Sequence, residues 1–170
     1  TGPAGFVGQH VLAELLRRGA VCCAGLRPPL EPGRGRLLEM LGALGVEGRS
    51  LVARGHLRFI EVELPDAAGA LEHSTFSQIV HCAGSTTFQR TGRDEPFRTN
   101  AEGTRALLDW ARRRGCPRFH LLSTAYVGGR HGPLREQALA ASETGPFNNV
   151  YEESKCLAER CVLSWEEAGA

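Results

Sequence analysis

The chain has 170 residues, with 20 lysines and arginines against 19 aspartates and glutamates and a formal net charge of +1. That balance excludes the one-signed field that draws a protein to nucleic acid or an anionic lipid surface, and no apolar run reaches the roughly eighteen residues of a membrane-spanning helix. A hydrophobic share of 42% is too high for a disordered chain and suits one folded domain, residues 1–170, or part of one.

In chain order, Val7, Val11, Leu12, Leu15 and Leu16 form an apolar stripe at helical spacing that stops at Gly19. A strand is expected from Val21 to Leu26, then a loop rich in proline and glycine through Gly35, then a helix carrying Leu37, Leu38, Leu41 and Leu44. Leu57 to Glu63 alternates as a strand, Asp66 to His73 reads as a short helix, and Gln78 to Cys82 as a strand. Pro96 to Arg114 predicts one long helix, with Trp110 and Phe97 on its core side, and Arg118 to Ser123 another strand. Irregular sequence spans Gly128 to Gly145, and Tyr151 to Glu167 closes the chain as a helix. This alternation predicts an α/β fold with a doubly wound parallel sheet of Rossmann type. No strand precedes the opening loop and none follows the last helix, so the expectation is a fragment lacking the first strand and a C-terminal substrate region.

Some features read as structural. Cys22, Cys23, Cys82, Cys116, Cys156 and Cys161 show no CxxC spacing and are expected to be reduced thiols; with no signal peptide visible, the simplest expectation is a cytoplasmic protein. Arg112-Arg113-Arg114 closes a helical pattern before Gly115, where cations complement the helix dipole. His81, His120 and His131 lack metal-ligand spacing, so no metal is expected; His81 and His120 are expected to be hydrogen-bonded near the core.

Two motifs carry chemistry. In Thr1-Gly2-Pro3-Ala4-Gly5-Phe6-Val7-Gly8, Gly2 and Gly5 allow a tight turn and a close approach to a pyrophosphate. Gly8 allows close helix packing, and the helix N-terminus, at Phe6 and Val7, offers amide donors. Taken alone, the loop is equally a structural turn. Arg27 follows the strand expected from Val21 to Leu26, with Arg34 and Arg36 within reach; arginine there suits a 2′-phosphate, which favours NADPH with NADH possible. Tyr151 and Lys155 stand four residues apart, on one face of a helix, where an ammonium favours the ionised form of a phenol. Such a pair usually just packs and solvates, but a phosphate-cradling loop and a proton-transfer pair in one α/β chain explain each other, and together point to a nicotinamide-dependent oxidoreductase.

Adding His81-Cys82-Ala83-Gly84, Asn100-x-x-Gly103-Thr104 and Ser123-Thr124-Ala125-Tyr126-Val127, the chain resembles the extended short-chain dehydrogenase/reductase family over nearly its whole length. Phe119 to Val127 and Tyr151-Glu152-x-Ser154-Lys155-x-x-Ala158-Glu159 look most like its thioester reductase and fatty acyl-CoA reductase branch. The resemblance implies that Tyr151 donates a proton to a carbonyl receiving hydride, that Lys155 lowers its pKa and holds the nicotinamide ribose, and that Thr124, or Ser123 one residue away, binds the substrate oxygen. Asn100 falls where the family carries a proton-relay asparagine, and Ala83 and Gly84 would let the backbone pass close to the cofactor. The family's aspartate after the third strand is replaced by Val62-Glu63-Leu64. The implied substrate is a small-molecule or carrier-bound acyl thioester, and relatives often form homodimers through the helices bearing Asn100 and Tyr151. Two alternatives are a nucleotide-sugar epimerase or dehydratase with the same tyrosine and lysine, and a non-catalytic scaffold that senses the dinucleotide.

Overall fold

The computed structural model describes residues 1–131, 137, 144–167 and 169. The chain forms two compact units, Thr1–Glu63 and Leu64–Ala170.

In the first unit, α1 (Phe6–Arg17) turns its apolar stripe inward, burying Leu12, Ala13 and Leu16, and ends before Gly19, whose φ of +80° is free to glycine. The strands β1 (Cys22–Leu26) and β2 (Leu57–Glu61) pair in parallel, with Ala24 opposite Phe59. Between them lie α2 (Leu30–Ala43) and α3 (Gly48–Ala53). Leu37, Leu38 and Leu41 of α2 join Leu12, Leu16, Leu26 and Leu57 in one core. Burying each such leucine contributes about 1.5–3 kcal/mol.

Two expectations need correction here. The predicted loop through Gly35 is already helix: Pro32 falls in the first turn of α2, where a missing N–H costs nothing, and the Glu61 carboxylate accepts from Leu30 N–H at 2.8 Å. That cap comes from a residue 31 positions away, so local pattern could not reveal it. Nor was α3 expected; Gly48 starts it because a side chain there would meet Leu38 at 2.8 Å.

In the second unit, α4 (Ala67–Leu71) precedes β3 (Ile79–His81), which pairs in parallel with β4 (Phe119–Leu121), Val80 facing His120. The helix expected from Pro96 to Arg114 is divided: Arg98–Glu102 is a π-helical segment, and α5 (Gly103–Arg113) continues from it. The last helix is α6 (Val150–Glu167). Its Trp165 lies 6.3 Å from Phe119, and Trp110 of α5 lies 5.7 Å from Phe76, ring centre to ring centre. These tilted aromatic pairs contribute about 0.5–1.5 kcal/mol each beyond their burial.

His120 is exposed and hydrogen-bonded to Gln78 rather than near the core, because strand alternation turns it away from the buried Phe119. Phe97 is half-buried beneath the Arg90 guanidinium, 4.7 Å from its ring centre, and is not a core residue. All six cysteines are free thiols, with Cys116 and Cys156 buried. Of the irregular Gly128 to Gly145 stretch, residues 132–136 and 138–143 lie outside the described residues. No described helix is long and apolar enough to cross a membrane.

Candidate active site

The opening loop has the backbone a phosphate cradle needs. Gly2 has φ +66°, a left-handed value that favours glycine, and a Cβ on Gly8 would sit 2.1 Å from the Gly2 carbonyl oxygen. Gly5 differs: its φ is −77°, and a Cβ there would meet only the Gly2 oxygen, at an ordinary 3.4 Å. Fold alone therefore demands Gly2 and Gly8, whereas Gly5 keeps the outer face of the loop clear. Gly5 also caps α1 without a side-chain hydrogen bond, leaving the first-turn amides to meet an anionic group. Phe6 and Val7, in that turn, are exposed, and Thr1 adjoins the loop. This geometry fits a dinucleotide pyrophosphate.

Arg27, just past β1, and Arg36, on α2, are both exposed. Arg34 is engaged otherwise: it pairs with Glu31 at 3.0 Å and lies 5.6 Å from the centre of the Phe59 ring. Glu63 is exposed, and Glu61 serves as the α2 cap.

The second unit holds Tyr151, Lys155, Ser123, Thr124 and Asn100, the residues expected to carry proton chemistry. A reciprocal cap sets the start of α6: Asn149 Oδ1 accepts from Glu152 N–H at 3.0 Å, and the buried Glu152 carboxylate accepts from Asn148 N–H at 2.9 Å and from Asn149 Nδ2 at 3.2 Å. Between these anchors Tyr151 is half-buried, its ring 6.0 Å from that of the exposed Phe88. One turn on, Lys155 is buried, and its Nζ donates to the Leu122 carbonyl at 2.7 Å. Burial pushes the Lys155 ammonium below its ordinary pKa, against the opposing influence of Glu159 and Cys82.

Leu122 leads directly into the two candidate hydroxyls, whose states differ. Thr124 Oγ1 accepts from Tyr126 N–H at 3.3 Å, capping the 3-10 turn Ala125–Gly128, so its own proton is left to donate. Ser123 Oγ is sealed from solvent and has no hydrogen-bond partner among the described residues.

Asn100 lies in the π-helical segment and is 1% exposed. Its Oδ1 accepts from Ser85 N–H at 2.8 Å, and its Nδ2 donates to the Ser85 carbonyl at 2.8 Å and to Ser154 Oγ at 2.9 Å. Gly84 is bare because a Cβ would come within 3.2 Å of Asn100 Oδ1. Gly103 is bare because a Cβ would meet Leu64 Cβ at 2.9 Å. Thr104 donates to the Asn100 carbonyl at 2.6 Å and bonds with His81 Nε2 at 3.1 Å. Burial drives the His81 pKa down to about 3, so the imidazole is neutral. The Asn-x-x-Gly-Thr spacing is thus one packing unit. Ser85, Ser154, His81, Thr104 and Glu152 were not singled out from sequence as site residues; only the Asn149-x-x-Glu152 capping pattern was open to local reading.

A Rossmann-type α/β chain with a glycine cradle before its first helix and a tyrosine–lysine pair on its last is a dinucleotide-binding protein of the short-chain dehydrogenase/reductase class. Residues 1–170 match the NAD dependent epimerase/dehydratase family throughout, and the chain belongs to that family. It is 32% identical over 171 residues to a dTDP-glucose 4,6-dehydratase of Streptomyces griseus, covering 96% of this chain and 48% of the relative. It is 30% identical over 179 residues to an isonitrile lipopeptide synthase of Streptomyces coeruleorubidus, covering 99% of this chain and 12% of that protein. Among solved structures, it is similar to a thiolation-reductase di-domain from an archaeal non-ribosomal peptide synthetase, with TM-score 0.79 and 25% identity over 99% of this chain and 48% of that one. The terminal R domain of the myxalamid pathway shares the fold, with TM-score 0.78 at 24% identity over 99% of this chain and 45% of that one. The chain thus spans about half the length of most of these relatives. The expected family and Rossmann-like fold are borne out.

Proposed function

We propose that the chain is the dinucleotide-binding portion of an NADPH-dependent reductase acting on an acyl thioester carried by coenzyme A or a carrier protein. The observation that carries this reading is the buried Lys155 one turn from the half-buried Tyr151, its Nζ anchored at the end of β4 beside Ser123 and Thr124. Thr1, Gly2, Gly5, Phe6, Val7 and Gly8 would hold the pyrophosphate, and Arg27 and Arg36 a 2′-phosphate. A bound reduced nicotinamide would supply hydride. Tyr151 donates a proton to the carbonyl oxygen, Lys155 favours the phenolate left behind and holds the nicotinamide ribose, and Thr124, with its proton uncommitted, hydrogen-bonds the same oxygen. The sealed Ser123 Oγ cannot reach a ligand without rearrangement, which favours Thr124. Ala83 and Gly84 would let the chain leaving β3 pass close to the cofactor. Thioester substrates are supported by the similarity to a lipopeptide synthase and a thiolation-reductase di-domain.

The similarity to a dTDP-glucose dehydratase favours a second reading, conversion of a nucleotide sugar. The two separate cleanly. Full-length protein given NADPH and an acyl-CoA should lose reduced-nicotinamide absorbance; conversion of a nucleotide sugar with no net cofactor consumption would establish the second reading instead.

A further inference from the structure

We infer that Asn100 works as a buried bracket between the loop after β3 and helix α6, and that Ser154 and Thr104 are the positioning residues that hold it. The inventory of hydrogens requires this. A carboxamide has two N–H donors, and both are committed, one to the Ser85 carbonyl at 2.8 Å and one to Ser154 Oγ at 2.9 Å. The Ser85 N–H, donating to Oδ1 at 2.8 Å, fixes which end of the amide is oxygen. Ser154 has one proton and donates it to the Tyr151 carbonyl at 2.8 Å, so towards Asn100 it can only accept. Thr104 likewise donates its one proton to the Asn100 carbonyl at 2.6 Å, so in its 3.1 Å contact with His81 the imidazole Nε2–H is the donor. Every directional choice is forced, and Asn100, Thr104, Ser154 and His81 are all at most 1% exposed.

A network satisfied to this degree in a buried interior is rigid, and removing one member leaves its partners unpaired. Asn100 cannot hand on a side-chain proton without breaking the bracket. What it can do is hold the backbone at Ser85 beside the turn of α6 that carries Tyr151. For catalysis this inference rests on the reading of Tyr151 as proton donor; as a statement about the bracket it does not.

The test uses the full-length protein and the variants Ser154→Ala, Thr104→Val, Thr104→Ser and Asn100→Asp. Amide hydrogen exchange followed in peptides covering residues 83–88 should quicken on the order of tenfold in Ser154→Ala and Thr104→Val, with Thr104→Ser restored to the parent rate. NADPH binding, read by nicotinamide fluorescence, should stay within about twofold while kcat falls on the order of tenfold and the KM for cofactor holds. Unchanged exchange in both Ser154→Ala and Thr104→Val, or a Thr104→Ser variant as impaired as Thr104→Val, overturns the bracket. So does an Asn100→Asp variant that keeps parent exchange but gains a new ionisation in its pH profile, since that marks a proton carrier. If the parent protein reduces no acyl thioester, the function proposed above fails by itself, and the exchange and binding measurements still decide the bracket.

Discussion

The Lys155 ammonium donates to the Leu122 carbonyl at 2.7 Å, which ties α6 to the end of β4 at the residue before Ser123. The consequence is a buried charge with a fixed position and a pKa lowered by burial. Replacing it by methionine keeps the apolar stem and removes the charge. Lys155→Met should lower kcat about 10²- to 10⁴-fold, while shifting folding stability by no more than about 2 kcal/mol, because relief of a buried charge offsets the orphaned Leu122 carbonyl. Steady-state kinetics and urea unfolding on the same preparation check both halves.

The opening loop predicts different behaviour for two glycines. Gly8→Ala would press a methyl to 2.1 Å from the Gly2 oxygen and should cost about 1–3 kcal/mol of stability as well as cofactor binding. Gly5→Ala, at φ −77° with an ordinary 3.4 Å contact, should lower the melting temperature much less than Gly8→Ala, by no more than the loss of a glycine N-cap, while weakening NADPH binding on the order of tenfold. Thermal melts and cofactor titrations of the two variants should therefore diverge.

Arg27 is exposed just beyond β1, where a 2′-phosphate would be met. Arg27→Ala should weaken NADPH binding about tenfold and NADH binding little, since a charge-assisted phosphate contact contributes on the order of 1.5 kcal/mol. Equal losses for the two cofactors in a direct titration would remove Arg27 from that role.

His81 gives a pH signature in stability. Its pKa falls from 6.5 to about 3 on folding, so between those values the unfolded chain binds a proton that the folded chain does not. The stabilisation from keeping it neutral is complete above pH 6.5 and is lost as the pH falls towards 3. Urea unfolding between pH 6 and pH 4 should show a steeper acid loss in the parent than in His81→Gln, by about 1.4 kcal/mol per pH unit where the unfolded histidine is charged. Parallel slopes would contradict a neutral buried imidazole.

What the sequence disclosed follows the range over which each feature is determined. The stripe Leu12–Leu16, the alternation around Leu57 and the Tyr151–Lys155 spacing are local, and they predicted α1, β2 and one face of α6 to within a few residues. Features fixed by distant partners stayed hidden. The start of α2 is capped by Glu61, and Asn100, in the π-helical segment, is bonded to Ser85 and Ser154, fifteen and fifty-four positions away. Resemblance pointed to Asn100, but its partners Ser85 and Ser154 could not be read from the motif, because a motif names a residue without counting its hydrogen bonds.

In the proposed reaction Tyr151, beside the buried Lys155, delivers the proton. The most direct measurement is single-turnover oxidation of NADPH by full-length Tyr151→Phe with an acyl-CoA, alongside NADPH binding. Binding should stay within about twofold of the parent and turnover should fall at least about 10²-fold; turnover at the parent rate with cofactor bound would remove Tyr151 as the proton donor.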